Sequence, residues 1–303
     1  MEFRDLTYFL EVANLAHIGR AAARLGITQP ALTKCVARLE RDLDVPLLER
    51  TGKRVSLTQF GRHLARHAER LRAADGDIRR EMMELGTGHA GHLRIGTGFV
   101  LAQHLLPAAC VALLKQYPSI TLEIISGNSE ILFPALREGK LDVVLAGINT
   151  QPIPGFRQIP LMQDAVVIIS CKGHPLQKSR RIGTAALRKE RWAMPDPRTL
   201  PAQWFAQRWR QLGIEPPASV VQSGSLPTLL RIVAETDLLT FQSWSTVRRT
   251  NNYGALLRPL PPNDLTWRHG IGVTLRDHGY LSPAIDLLIN AMRETAATEG
   301  VTA

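Results

Sequence analysis

Residues 18–43 read IGRAAARLGITQPALTKCVARLERDL, and this stretch decides the fold of the N-terminal part of the chain. Its apolar spacing predicts a short helix that Gly26 ends, because glycine adopts a left-handed backbone at little cost. Thr28 is a good N-cap for a second helix. Pro30 suits the first turn of that helix, where a missing N–H loses no partner. The stretch therefore predicts two helices joined by a tight turn.

The predicted second helix separates an apolar face from a polar one. At 100° per residue, four apolar residues share an arc of about 60°: Leu32, Val36, Leu39 and Leu43. The opposite face carries Pro30, Thr33, Lys34, Ala37, Arg38 and Arg41. With Gln29 at its tip, this face suits the major groove of DNA. Glutamine can pair with adenine there, threonine can contact base edges, and basic side chains can reach phosphate or guanine. An ordinary solvated helix face is the alternative.

Residues 44–58, DVPLLERTGKRVSLT, predict a hairpin after the second helix. Three apolar residues can pack under that helix: Val45, Leu47 and Leu48. Arg50, Lys53 and Arg54 cluster around a Thr-Gly turn, and the residues that follow alternate as in a short strand. Such a wing would hold cations beside the phosphate backbone.

A long helix is predicted from Thr58, its N-cap, to Gly86, a span of about 42 Å. Apolar residues recur every seven positions, at Leu64, Leu71, Ile78 and Leu85. Ala68, Asp75 and Met82 lie four residues after the first three of these and form the second position of the repeat. This repeat is typical of helices that pair between chains, and we expect Leu64, Leu71, Ile78 and Met82 to dimerise the protein. A helix packed on its own domain is the alternative.

Composition limits the class of protein. The 303 residues suffice for two or three domains. No apolar run is long enough to span a membrane, and MEFRDLTYFLEVA lacks the features of a signal peptide, so we expect a cytoplasmic protein. The net charge is +10, and residues 20–72 hold 12 basic against 5 acidic side chains. This local excess supports binding to nucleic acid.

The three cysteines, Cys35, Cys110 and Cys171, are widely separated and predict neither a metal site nor a disulfide framework. Cys35 flanks the apolar arc and is predicted to be a buried thiol. A redox sensor would need an exposed thiol of low pKa. His63 and His67 lie four apart, and we expect them on the helix surface rather than at a metal. No cofactor is predicted.

The second half of the chain alternates strands with helices. Residues 86–91, GTGHAG, predict a hinge. Strands are predicted at residues 92–98, 120–126, 141–146, 165–171, 220–222, 238–241 and 267–275. Helices are predicted at residues 101–117, 129–137, 200–212, 226–234 and 283–295. The alternation implies two α/β units with a parallel sheet, and a small ligand would bind in the crevice between them.

Motifs of catalysis are missing from the sequence. Gly96-Thr97-Gly98 fails as a dinucleotide fingerprint at its third glycine, and Thr51-Gly52-Lys53 lacks the earlier glycine of a phosphate loop. There is no nucleophile elbow and no zinc-binding helix motif. We therefore expect no enzyme activity.

Taken together, these residues resemble the LysR-type family of bacterial transcriptional regulators along essentially the whole chain. The likeness is strongest over residues 3–66, in FRDLTYFLEVA, AAARLGITQPALTKCVARLERDL and VPLLERTGKRVSLTQFG. It continues in LRIGTG, HLLPAA, YPSITLEIISGNSE, LREGKLDVVLAG and HPL. The segments DPRTLPAQWF and AETDLLTF look like a branch that responds to small organic acids.

The resemblance implies an N-terminal all-α winged helix-turn-helix (residues 1–58) and a linker helix with hinge (residues 59–90). An α/β two-lobed effector domain like a periplasmic binding protein would follow (residues 91–303). Lobe I would comprise about residues 91–161 and 266–303, and lobe II about 162–265. The family usually binds an interrupted inverted repeat in double-stranded DNA as a homo-oligomer, a dimer or tetramer. RNA polymerase is a further candidate partner.

Site residues follow by position. The predicted DNA-binding set is Gln29, Pro30, Thr33, Lys34, Arg38, Arg50, Lys53 and Arg54. The predicted effector-binding set is Thr97, Gly98, Val100, Gln103, Asn128, Ser129, Arg198 and Thr199. Ser129 and Thr199 lie at predicted helix N-termini, which favour anions, and Arg198 would pair with a carboxylate. We therefore expect a small organic anion as the effector.

Several positions depart from the family pattern. Val100 replaces a common serine or threonine, Thr236 and Asp237 replace a glycine pair, and Gln242 replaces a proline. An effector-independent regulator with an empty or atypical cleft is thus the alternative function. Two other classes of function are possible for such a sequence, a plain small-molecule binding protein and an enzyme on an α/β scaffold. The polar set on the second helix argues against the first, and the missing catalytic motifs argue against the second.

Overall fold

A computed structural model describes residues 1–51, 54–87, 91–103, 105–148, 152–249, 253, 255–261 and 263–298. The chain divides into two units, one comprising residues 1–86 and 137–140 and the other residues 87–136 and 141–303. Within the described residues, no helix is both long and apolar enough to cross a membrane.

The first unit is a helix-turn-helix followed by a hairpin and a long helix. Its elements are α1 (Phe3–Leu15), α2 (Ile18–Leu25), α3 (Gln29–Leu43), β1 (Leu48–Thr51), β2 (Arg54–Leu57) and α4 (Gln59–Thr87). Gly26 ends α2 with φ of 68°, as its sequence position predicts. Thr28 caps α3 by accepting a hydrogen bond from the Ala31 N–H, and Thr58 caps α4 by accepting one from the Gly61 N–H.

The apolar face of α3 packs into the core of the first unit, with one exception. Leu32, Val36 and Leu39 are fully buried, and the Cys35 thiol is buried beside them, as predicted. Leu43 was expected in the same arc but is 37% exposed. The reason is that α3 ends there, and Asp44 turns the chain away with a left-handed backbone.

The second unit contains nine described strands and seven α-helices. The strands are β3 (His92–Thr97), β4 (Thr121–Ser126), β5 (Val143–Gly147), β6 (Phe156–Cys171), β7 (Trp192–Pro195), β8 (Ser219–Ser223), β9 (Thr240–Ser243), β10 (Leu257–Pro259) and β11 (Trp267–Arg276). The helices are α5 (Leu105–Gln116), α6 (Ser129–Arg137), α7 (Thr184–Lys189), α8 (Leu200–Gln211), α9 (Leu226–Ala234), α10 (Trp244–Arg249) and α11 (Pro283–Thr298).

The main sheet is mixed, whereas the sequence predicted a parallel one. Its order is β10-β6-β11-β5-β3-β4, with β9 also paired to β6. Strands β3, β4 and β5 are parallel, but β11 runs antiparallel to both β5 and β6. Strand β6 is also much longer than the predicted residues 165–171. The added residues, 156–164, pair with β11. This long pairing places Asp164 directly opposite His269.

Candidate DNA-binding surface and effector cleft

The predicted recognition face of α3 is open in the first unit. Gln29, Pro30 and Lys34 are exposed and Thr33 is half-buried. The buried apolar residues of the same helix hold these four side chains on the outside of the unit. A helix with a packed back and a short polar front can enter a major groove.

Arg38, another predicted DNA contact, is paired with a carboxylate of its own unit. Its Nε lies 3.1 Å from Asp5 Oδ2, and a second guanidinium nitrogen donates to Asp5 Oδ1. Asp5 is almost fully buried on α1. The Arg38 guanidinium is thus hydrogen-bonded to a carboxylate of the core, although its side chain remains 42% exposed.

The predicted wing is present as the antiparallel pair β1–β2, in which Arg50 pairs with Val55 and Thr51 with Arg54. Arg50 and Arg54 therefore lie on the two strands beside the turn. Lys53, the third predicted cation, lies outside the described residues.

One side of α4 leaves large apolar side chains uncovered. Leu71, Ile78 and Met82 are 49%, 59% and 56% exposed. Leu64, the first residue of the same repeat, instead packs against the core that contains Leu6, Phe9 and Leu39. The repeat therefore begins on the helix's own domain, and its exposed part starts at Leu71. His63 and His67 are exposed, as expected.

The second unit contains a cavity of about 300 Å³. The cavity lies among the ends of β3, β5 and β7 and the starts of three helices. Six of the eight predicted effector residues line it: Gly98, Val100, Asn128, Ser129, Arg198 and Thr199. The other two, Thr97 and Gln103, are not among the residues that line it. Thr97 is fully buried and its hydroxyl donates to the Gly98 carbonyl, whereas Gln103 is exposed in a 3-10 turn.

Three helices begin at this cavity. Asn128 caps α6, its Oδ1 accepting a hydrogen bond from the Ile131 N–H at 3.2 Å. Thr199 precedes α8, but its hydroxyl donates to the Asp196 carbonyl at 2.8 Å and does not cap the helix. Ser223 and Gly224 line the cavity just before α9. Helix N-termini carry partial positive charge and unpaired N–H groups, so their meeting favours an anion.

Arg198 is not the free guanidinium that the sequence suggested. It donates to both oxygens of Asp196, at 3.1 and 2.7 Å. These hydrogen bonds lower the pKa of Asp196 to about 2. The charges of Arg198 and Asp196 therefore neutralise each other at the edge of the cavity. Arg198 already binds a carboxylate of the protein itself.

The sequence missed the polar floor of the cavity, formed by Asp164 on β6, Gln242 and Ser243 on β9, and His269 on β11. Ser243 donates a hydrogen bond to Asp164 from 79 residues further along the chain. Trp267 also lines the cavity, and its ring stacks on His269 with centroids 4.3 Å apart. Only Gln242 had a sequence signal, as a departure from the family pattern.

No metal cluster accompanies these sites in the described part of the chain, and two of the three thiols are buried. The side chains there include no group of three or more His, Cys, Asp or Glu that could hold a metal ion. Cys35 and Cys110 are buried, and burial raises the pKa of each thiol to about 11. Cys171 is half-buried at the end of β6 and is not among the residues that line the cavity.

Two family models match the chain. The model of the bacterial regulatory helix-turn-helix protein, lysR family, matches residues 3–62, and the model of the LysR substrate binding domain matches residues 86–297. The first match contains the open face of α3, and the second contains the whole cavity.

Individual relatives extend the comparison. A probable hydrogen peroxide-inducible genes activator of Mycobacterium xenopi is 34% identical over 177 residues, 58% of this chain and 93% of that protein. An SDS degradation transcriptional activation protein of a Pseudomonas species is 28% identical over 289 residues, 95% of this chain and 94% of that protein. The solved structure of a full-length OxyR variant from Pseudomonas aeruginosa is similar in fold. Its TM-score is 0.63 at 23% identity, covering 97% of this chain and 95% of that one.

Proposed function

The chain belongs to the LysR family of DNA-binding transcriptional regulators, which are not enzymes, and from that premise we propose its mode of action. Helix α3 reads an interrupted inverted repeat, and a small organic anion bound in the cavity of the second unit sets the regulatory state. The meeting of three helix N-termini at one cavity is the observation that carries the effector half of this proposal.

The DNA half rests on the open face of α3. Gln29 contacts a base edge, and Lys34 contacts phosphate or guanine. The wing strands carry Arg50 and Arg54, and the sequence places Lys53 between them; cations at a wing add affinity without sequence preference. We assign Arg38 a structural role instead, because its guanidinium is hydrogen-bonded to Asp5.

The protein acts as a homo-oligomer, a dimer or a tetramer of two dimers, because an inverted repeat requires two copies of α3. The exposed stripe of Leu71, Ile78 and Met82 on α4 supports pairing through this helix. Large apolar side chains in a row are costly in water, and a second helix with the same repeat would cover them.

An organic anion is the proposed effector, and the buried thiols of Cys35 and Cys110 do not support peroxide sensing. Some relatives are named as peroxide-inducible activators, but peroxide sensing by cysteine needs an accessible thiolate. Burial raises the pKa of Cys35 and Cys110 to about 11, so neither is a thiolate near neutral pH. The cavity, in contrast, has the features of an anion site, and its volume lies at the lower end of the about 300–1,000 Å³ range of small-molecule sites.

The anion regulates only if it binds one conformation of the protein more tightly than another. Its contacts with α6 on one side of the cavity and α8 and α9 on the other provide such a difference when the two sides move relative to each other. Bound anion would then change the spacing or orientation of the two recognition helices on the operator.

A thermal-shift screen of carboxylates on the full-length protein tests the effector site. A ligand at about 100 times its dissociation constant stabilises the native state by about 2.7 kcal/mol, a rise of a few degrees in Tm. The informative variant is Ser129→Asp, which places a carboxylate at the start of α6. An acidic residue is favourable at a helix N-terminus, so the fold is retained while the anion is repelled.

The matched control is Ser119→Asp, an exposed serine outside the cavity. We expect wild type and Ser119→Asp to respond to the same acid, and Ser129→Asp to respond far less. An equal response from all three proteins would place the effector elsewhere. Fluorescence anisotropy on a DNA fragment selected for binding to the protein, with and without the stabilising acid, then tests whether the acid changes the affinity for DNA.

A further inference from the structure

The floor of the cavity contains a buried carboxylate. Asp164 is only 3% exposed, and it lies on β6 where that strand passes under the cavity. Its Oδ1 accepts a hydrogen bond from the Ala165 N–H at 2.8 Å, and its Oδ2 accepts one from the Ser243 hydroxyl. Both contacts are ones that carboxylate oxygens can accept.

Asp164 has no cationic partner among the residues that the structure describes. The titratable residue directly opposite it in the sheet is His269, on β11. Burial lowers the pKa of His269 more than the charge of Asp164 raises it, so the imidazole is neutral near pH 7. Its Nδ1 is enclosed and has no hydrogen-bond partner in the described part of the chain. A charge buried this deeply is costly without a counter-ion.

The two kinds of polar group lie at different depths. Ser129 is exposed, and Asn128, Thr199 and Ser223 are half-buried, so the helix N-termini form the rim. Asp164, Gln242 and Ser243 are 3%, 5% and 5% exposed and form the floor. Apolar side chains also line the cavity: Val100, Ile131, Leu132, Val166, Leu226 and Ile271. Helix N-termini at the exposed rim and a buried carboxylate at the floor thus share one largely apolar cavity.

We propose that the effector is a zwitterion, with its carboxylate at the rim and a protonated amine on Asp164. This inference rests on the proposed function and narrows it from organic acids in general to amino acids. The rim alone would accept any carboxylate. The floor discriminates between amino acids and other acids. An ammonium group supplies the missing counter-ion of Asp164, whereas Asp164 would repel a second carboxylate.

Calorimetry on the full-length protein tests the proposal with matched pairs of acids. Each amino acid is compared with the same acid lacking the amine and, where available, with the hydroxy acid. Suitable sets are leucine with 4-methylpentanoate, phenylalanine with 3-phenylpropanoate, 4-aminobutanoate with butanoate, and 6-aminohexanoate with hexanoate and 6-hydroxyhexanoate. The series varies the distance between the two charges, so the best member reports the depth of the floor.

We expect at least one amino acid to bind tenfold or more tightly than its parent acid. Asp164→Asn should remove that preference while the parent acid binds at least as well, because the amide has the same shape without the charge. Asp277→Asn, an exposed aspartate outside the cavity, is the matched control and should behave as wild type. The comparison of each amino acid with its parent acid on the wild-type protein needs no variant, so it remains a test even if Asp164→Asn is unstable.

The outcomes separate this inference from the proposed function. Parent acids that bind as tightly as their amino acids would overturn the zwitterion and leave the organic anion. A hydroxy acid that binds as tightly as the amino acid would show that the floor reads a hydrogen bond and not a charge. Binding by no member of the series would overturn both the zwitterion and the anion site.

Discussion

Arg38 on α3 donates two hydrogen bonds to the buried carboxylate of Asp5 on α1, 33 residues earlier in the chain. The Cys35 thiol donates a third, to Asp5 Oδ1 at 3.3 Å. Burial raises the pKa of Asp5, but the hydrogen bonds from Arg38 and Cys35 outweigh it and hold the pKa below the ordinary value. This cluster joins the recognition helix to the first helix of its unit.

Arg38→Ala should destabilise the first unit without weakening DNA contacts directly. It leaves the Asp5 carboxylate buried without its cation, at a cost of about 1–3 kcal/mol. Urea denaturation measures this loss. The salt dependence of operator binding should keep its slope. A slope reduced by about one unit would show instead that Arg38 neutralises a phosphate.

Gln29→Ala should cost about 1–3 kcal/mol of discrimination at one base position, because glutamine reads the edge of a base. Lys34→Ala on the same exposed face is the comparison. If Lys34 contacts phosphate, its loss should weaken all sequences about equally and flatten the salt dependence by about one unit. Competition binding with single-base variants of the operator distinguishes the two effects. An unchanged base preference in Gln29→Ala would remove that residue from base readout.

Leu71→Asp should separate the oligomer while each chain stays folded. Leu71 is 49% exposed in the chain by itself, so a charge there costs the folded chain little, but a charge inside a helix pair would be buried and unpaired. Arg70→Asp, an exposed neighbour outside the seven-residue repeat, is the control. Sedimentation measures the mass of both variants. An intact oligomer of Leu71→Asp would mean that α4 does not hold the chains together.

Lowering the pH should destabilise the second unit through His269. Burial lowers its pKa in the folded protein despite the opposing charge of Asp164. Below the unfolded value of about 6.5, the unfolded chain binds a proton that the folded chain does not. The free energy of unfolding should therefore fall by up to about 1.4 kcal/mol per pH unit until the folded pKa is reached.

The variant His269→Gln should lose this part of the pH dependence, and His278→Gln, at an exposed histidine, should keep it. Urea denaturation between pH 7 and pH 5 measures the difference. The same slope in His269→Gln and wild type would assign the pH dependence to other groups.

Local sequence signals determined the helix-turn-helix, because they act over a few residues. Gly26 and Thr28 predict the end of α2 and the start of α3 through backbone conformation and capping, and both act as predicted. Periodicity likewise predicts α6 and α9 with their observed bounds. Family resemblance places six of the eight expected effector residues at the cavity, since the loops that hold them follow predicted strands or precede predicted helices.

Tertiary structure alone decided the partners of charged side chains. In the sequence, Arg38 lies among the polar residues of α3, and only the packing of α1 against α3 shows that Asp5 holds it. Arg198 looked free for a ligand, but its turn brings Asp196 within hydrogen-bond distance. Long side chains reach several neighbours, so spacing along a helix leaves their partners undetermined.

The floor of the cavity shows the same limit at longer range. Asp164, Ser243 and His269 come from three strands far apart in the sequence, and no local pattern links them. The antiparallel pairing of β11 with β6 sets His269 opposite Asp164, and the pairing of β9 with β6 brings Ser243 into contact with it. The sequence of each segment determines its own conformational preference. The register between distant strands depends instead on which side chains the assembled sheet buries.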